Sequence, residues 1–157
     1  MSKAFTKDDD DAGFLPPPTS RRAHGGHLTP IGARLMTEAV AAARARLTAM
    51  APDDPSRAIH EATVARYAAI LAAGDVLPPG RGDEVALGAE VRVREAKGPE
   101  RTVVIVTPDE VGVVPGGCSA TSPIGHALLG ARVGDEVEIR KPAGTERVTV
   151  KGVRFRP

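Results

Sequence analysis

The hydrophobic pattern of this chain changes period once, at PPGRGD (78–83), and that change limits the folds open to it. Upstream, apolar residues recur at helical spacing. Ile31, Leu35, Ala39, Ala43, Leu47 and Met50 make one stripe; Ile59, Thr63, Tyr67 and Ile70 or Leu71 make a second. The background is rich in alanine and arginine, both strong helix formers. Thr29 and Pro30 supply an N-cap and a first helical residue. APDDPS at 51–56 breaks the pattern, Asp54 and Pro55 restart it, and Gly74 with Pro78-Pro79 ends it. Two helices of about 20 residues joined by so short a loop predict an antiparallel hairpin roughly 30 Å long. Downstream the period falls to two. Val85, Leu87, Ala89, Val91 and Val93 alternate as in a half-buried strand, and ERTVVIV (100–106) reads as another. Residues 111–120 are expected to hold a third strand, interrupted by Pro115-Gly116-Gly117, and 136–140 and 147–155 two more. A helical hairpin followed by four or five antiparallel strands and one short helix is an α+β arrangement. The expected divisions are a disordered tail (1–27), the hairpin (28–77), a linker (78–83) and a small β domain (84–157).

Composition excludes several functions. The 157 residues carry a formal charge of +1, so no global basic field is available to hold nucleic acid. Aromatic residues are 3% of the chain and tryptophan is absent, which argues against recognition of bases by stacking and leaves the core to alanine and valine. The single cysteine, Cys118, cannot form an intrachain disulfide and suits a reducing compartment. Apolar runs are far shorter than the ~20 residues of a membrane span, and the opening MSKAFTKDDDD puts acids where a signal peptide needs an apolar core. The expectation is a cytoplasmic monomer with no membrane partner. The acidic run at 8–11, the prolines at 16–18 and the His24 to His27 stretch cannot bury enough apolar area to order residues 1–27.

One stretch, SPIGHALLGARVGDEV (122–137), carries the densest local grammar. Ser122 stands at an N-cap, Pro123 at the first helical position, and Ala127, Leu128 and Leu129 give a short helix its apolar side. Gly130 is the expected left-handed cap, and Gly134-Asp135 a turn into the next strand. Elsewhere, Arg44, Arg46, Arg57 and Arg66 on the hairpin are either a solvated face or contacts to phosphate or acidic surface. His24 and His27 lack a third metal ligand; His60 and His126 read as exposed polar residues on helices. Cys118 reads as a small buried residue, and PGGC at 115–118 lacks the helix and lysine of a phosphate-binding loop.

The wording of 122–137 closely resembles the C-terminal domain of the bacterial transcript-cleavage factors GreA and GreB. Ser122, Pro123, Ile124, Ala127, Leu128, Leu129, Gly130, Gly134, Asp135 and Val137 carry the likeness. MSKAFTK followed by acids also resembles the start of a GreB-like branch. The resemblance implies an FKBP-like domain over about 84–155, behind a hairpin that is a short coiled coil. It implies a protein that is not itself an enzyme and that regulates elongation by binding RNA polymerase through its secondary channel. Ser122, Pro123 and Ile124, with Thr121 beside them where Gre sequences often carry Asn or Asp, would meet the channel rim on the β′ subunit. Acidic residues at the hairpin tip would help hold a magnesium ion near the RNA 3′ end while the polymerase cuts backtracked RNA; Asp53 and Asp54 stand there. Magnesium takes oxygen ligands, often one or two carboxylates with waters and phosphates, and a second metal can support the attacking water and the leaving group. The protein would carry no cofactor of its own, and magnesium would be shared only inside the polymerase complex. Asp54 before Pro55 is equally ordinary capping grammar, with Asp53 a turn residue. The arms are also shorter than those of cleavage-competent members, and the longer acidic tip wording is missing. The alternative is therefore a non-cleaving regulator, like the Rnk branch, that competes with Gre factors. A prolyl isomerase, the other activity of an FKBP-like domain, needs an aromatic-lined pocket; this domain offers only Phe155.

Overall fold

Thr29 starts the first helix as its position predicts. In the computed structural model, which describes residues 26–156, the Thr29 hydroxyl accepts the Gly32 N–H at 3.1 Å, and Pro30 opens helix α1 (Pro30–Ala49). Helix α2 (Arg57–Ala73) packs along α1. Near the tip, Arg57 Nη1 donates to the Leu47 carbonyl at 3.2 Å, occupying an acceptor in the last turn of α1. Residues 1–25 of the tail assigned to 1–27, with its GreB-like wording and His24, lie outside the described residues. His27, assigned to that tail, instead begins strand β1 (His27–Leu28). This strand pairs in parallel with β2 (Asp75–Val76) at the base of the hairpin.

The buried faces of both helices are rotated from the predicted stripes. On α1 the buried residues are Gly32, Met36, Val40 and Ala43; Ile31, Leu35, Ala39, Leu47 and Met50 are half-buried. The reason is that α1 covers two surfaces. It lies along α2 and, through Ile31 and Leu35, packs against Val104, Val106 and Val114 of the β domain, so its deepest line falls between the two contacts. On α2 no residue is fully buried, Ile59 is 67% exposed, and His60, expected in solvent, is half-buried beside Thr63, Val64 and Tyr67.

The second unit is a five-stranded sheet of β3 (Ala89–Glu95), β4 (Glu100–Val106), β5 (Gly117–Ser119), β6 (Glu136–Lys141) and β7 (Gly144–Phe155), in the order β5-β4-β3-β7-β6. The expectation of an antiparallel domain holds for every pair but one: β5 runs parallel to β4, with Val104 opposite Gly117 and Val106 opposite Ser119. Residues 111–116, expected to begin a strand, form turns instead. A 3-10 turn (Pro108–Glu110) and glycines at positive φ (Gly112 and Gly116) carry the chain back beside β4. The alternation beginning at Val85 also starts early. Gly88, at φ +86, delays β3 to Ala89, although Val85 is buried. Between Arg92 and Val93 the register against β7 passes over Lys151, a bulge that bends the sheet. The bend lets helix α3 (Pro123–Leu128) touch both edge strands, β5 and β6. Inside the curl lie Val91, Val93, Ile105, Leu128, Ile139, Val148 and Val150, a core of small branched residues as the composition requires. No helix among the described residues is long and apolar enough to cross a membrane.

Candidate functional site

The turn into α3 is held by four side-chain hydrogen bonds made by Ser119 and Ser122. Ser122 Oγ donates to the Ser119 carbonyl at 2.6 Å and accepts the Gly125 N–H at 3.2 Å, so one hydroxyl ties β5 to the helix it caps. Ser119 Oγ, in turn, accepts the Thr121 N–H at 3.2 Å and lies 2.8 Å from the Thr121 hydroxyl. Gly125 is buried against this turn; a Cβ there would stand 2.0 Å from the Ser119 carbonyl oxygen, so only glycine lets α3 lie this close to β5. Gly130, at φ +82, terminates the helix as the left-handed cap. Thr121 and Pro123 are exposed on this braced turn, whereas Ile124 packs against the core. Leu129, assigned to the apolar side, points outward at 37% exposure. A shallow groove beside the turn is lined by Val103, Val111, Cys118, Ser122 and Ile124, among others. Cys118 is half-buried rather than buried, its Sγ 3.3 Å from Ser122 Oγ.

The hairpin tip is a separate place. Asp53 is exposed, and among the described residues no partner hydrogen-bonds its side chain. Asp54 Oδ1 accepts both the Ser56 N–H, at 2.8 Å, and the Ser56 hydroxyl, at 2.5 Å. Asp54 is therefore not the helix cap expected of it: α2 begins two residues later than Pro55, at Arg57, with Ser56 at the N-cap position, and the Asp54 side chain instead closes a turn onto Ser56. The hydroxyl bond, then the backbone bond, holds the Asp54 carboxyl below its ordinary range, with a smaller contribution from His60. Asp53 and the outer oxygen of Asp54 could supply the one or two carboxylates that magnesium commonly takes from protein, but they do not form a closed cage. Among the described residues no three His, Cys, Asp or Glu side chains converge to hold a metal. Arg44, Arg46 and Arg66 are exposed, Arg66 lying 5.7 Å from the centre of the Tyr67 ring. Arg57 is half-buried and engaged by Glu61 at 3.0 Å. Thus 121–124 and 53–54 are not brought together; α1 alone puts roughly 30 Å between its base and the tip. His126 is exposed on α3.

Two residues escaped the reading of the sequence. Ser119 organises the turn before α3 through its side chain and carbonyl. Glu110 is fully buried, with both carboxylate oxygens occupied by threonine donors on two different parts of the chain. Thr107-Pro108-Asp109-Glu110 has the T-x-x-E spacing of a capping box, a signal that marks half of this arrangement.

These features define a helical hairpin seated on a small curled-sheet α+β domain. Residues 80–155 match the family model described as transcription elongation factor, GreA/GreB, C-term, and this part of the chain belongs to that domain family. GreA of Thermotoga neapolitana is 43% identical over 76 residues, 48% of this chain and 49% of the relative. GreA of Thermodesulfovibrio yellowstonii is 37% identical over 98 residues, 60% and 62% of the two chains. This chain spans about half the length of the first of these curated relatives and somewhat more of the second. Among solved structures, Gfh1 of Thermus aquaticus aligns at 27% identity over 82% of this chain and 97% of that one, with a TM-score of 0.42. The GreA/GreB factor of Nitrosomonas europaea aligns at 26% identity over 82% and 98%, also with a TM-score of 0.42.

Proposed function

We propose that this protein is a transcription elongation regulator that binds RNA polymerase at the rim of the secondary channel. The observation that carries the proposal is the turn at 121–124. It lies inside the GreA/GreB C-terminal match, and it presents Thr121 and Pro123 to solvent on a backbone fixed from both sides by Ser119 and Ser122. A preformed surface binds with little ordering cost. The curled sheet wrapped round one short helix supports an FKBP-like reading of the domain. A prolyl isomerase is disfavoured, because Phe155 is the domain's one aromatic side chain among the described residues and it packs at the core margin beside Gly80. The hairpin would enter the channel, where Asp53 and Asp54 are the residues able to meet magnesium shared with the polymerase. What they contribute is oxygen ligands only. Asp54 has one oxygen committed to Ser56, and the arm is roughly 30 Å long. These two facts favour the non-cleaving form of the activity, a regulator that occupies the channel.

The test is direct binding to core polymerase by fluorescence anisotropy. Thr121→Lys combined with Pro123→Glu alters the exposed turn and leaves Ile124 in place, since an Asp at 124 would disturb the core as well as the surface. Binding should weaken at least tenfold, about 1.4 kcal/mol, at an unchanged Tm. Equal affinity for the wild type and this variant would remove 121–124 from the interface.

A further inference from the structure

We infer that Glu110 is the positioning residue that fixes the direction of the hairpin relative to the β domain, and so where the tip arrives. Glu110 Oε1 accepts the Thr29 N–H at 2.7 Å and the Thr29 hydroxyl at 2.8 Å. Oε2 accepts the Thr107 N–H at 2.9 Å and the Thr107 hydroxyl at 3.0 Å. One carboxylate therefore joins the turn following β4 to the first residue before α1, 81 positions away in sequence. It is completely buried, and among the described residues no basic side chain forms a salt bridge with it. Both oxygens instead meet donors at the starts of helical turns, where an anion is favoured. The fit is close. A Cβ on Gly32 would stand 1.9 Å from Oε1, so the first turn of α1 admits the carboxylate only because residue 32 is glycine.

The other connections between the two units among the described residues are packing contacts, including Gly80 of the linker against Phe155 and Gly88 against Thr29. Residues 77–83 carry no regular structure. The apolar patch of Ile31 and Leu35 on Val104, Val106 and Val114 is attractive but non-directional. Four hydrogen bonds to one rigid group are directional. The Thr29 hydroxyl also passes the constraint on, since it donates to Glu110 while accepting from Gly32 inside α1.

The orientation claim stands apart from any role in transcription; only its consequence for the polymerase rests on the proposed function. Pulsed electron-spin distances should be measured on the full chain, with Ala51→Cys at the tip and Lys141→Cys on the sheet edge labelled in a Cys118→Ala background. The parent and Thr29→Ser should give one narrow distance distribution. Glu110→Ala should broaden it at least twofold while far-ultraviolet circular dichroism retains its helical signal. Should Glu110→Ala fail to fold, Thr29→Val, which keeps the N–H and removes the hydroxyl, is the deciding variant, and it should broaden the distribution as well. Unchanged widths in the folded variants overturn the assignment whether or not the protein binds polymerase. Broadening in a protein that shows no polymerase affinity supports the assignment and counts against the proposed function alone.

Discussion

At Asp54 a single carboxylate has both a structural and a candidate chemical role, and its titration separates them. Its Oδ1 accepts two hydrogen bonds from Ser56 in the folded protein, and its carboxyl titrates below the ordinary 3.8. Glu90 behaves alike, held below 4.5 first by its hydrogen bond from Arg154, with the charges of Arg154 and Arg156 acting in the same direction. For a depressed acid the stabilisation is fully present above the unfolded value and is lost as pH falls through the lower folded value. Thermal stability should therefore hold down to about pH 4.5 and then decline. Asp54→Asn and Glu90→Gln should each flatten that decline, with Asp54→Asn changing Tm little at pH 7 because the Asn side-chain oxygen can still accept from Ser56 in the same turn. A Tm series from pH 2 to 7 that is identical for wild type and both variants would show that these contacts do not persist in solution. Residue grammar of this local kind was legible at Thr29, Ser122 and Gly130, which serve as their neighbours in sequence imply; at Asp54 it was two residues early, because the turn onto Ser56 delays α2 to Arg57. Glu110 was legible only by half. T-x-x-E marks its contact with Thr107, but nothing in local spacing points to Thr29, because that pairing exists only once the hairpin docks.

Element boundaries followed the period change closely, and their faces less so. The strand at 100–106 and the short helix after Ser122 lie where the pattern put them. The rotation of α1 did not, because a stripe chosen from Leu, Ile and Ala at i and i+4 assumes one partner, whereas this helix has two. Strand β5 was hidden for another reason. It is three residues long, and its parallel pairing depends on the glycine-rich return after the Pro108–Glu110 turn, which has no alternating pattern to reveal it. The rotation has a measurable consequence. Met36→Ala, at a fully buried position, should cost about 2–5 kcal/mol. Ile59→Ala, on the predicted stripe but exposed, should stay within about 0.5 kcal/mol. Urea denaturation of both variants decides; equal losses would return the seam to the stripe containing Ile59.

For the whole molecule, the family match and the hairpin make different demands on function. The match spans 80–155 and includes the turn that would hold the polymerase; the hairpin lies outside it and, under the proposed function, would decide what an occupied channel does. A domain that binds while its hairpin contributes little chemistry is a competitor. With a GreA held at a concentration equal to its Kd, a tenfold excess of a competitor of equal affinity should cut GreA-stimulated cleavage of backtracked RNA about sixfold by mass action. Asp53→Asn with Asp54→Asn should compete as well as the wild type, since neither substitution touches the turn at 121–124. The same titration without GreA tests the opposite case. If the protein alone stimulates cleavage at saturating magnesium, and the double Asn variant binds but does not, the tip acids supply metal ligands despite the bond from Asp54 to Ser56. The competitor reading then fails. If cleavage without GreA stays at the polymerase's own rate, Asp54 is a turn residue that happens to sit at a tip. The physical ground for expecting that result is that Ser56 donates to Asp54 twice within 2.8 Å. A cation would have to do without that oxygen or break those bonds, leaving exposed Asp53, among the described residues, as the one tip carboxylate with both oxygens uncommitted.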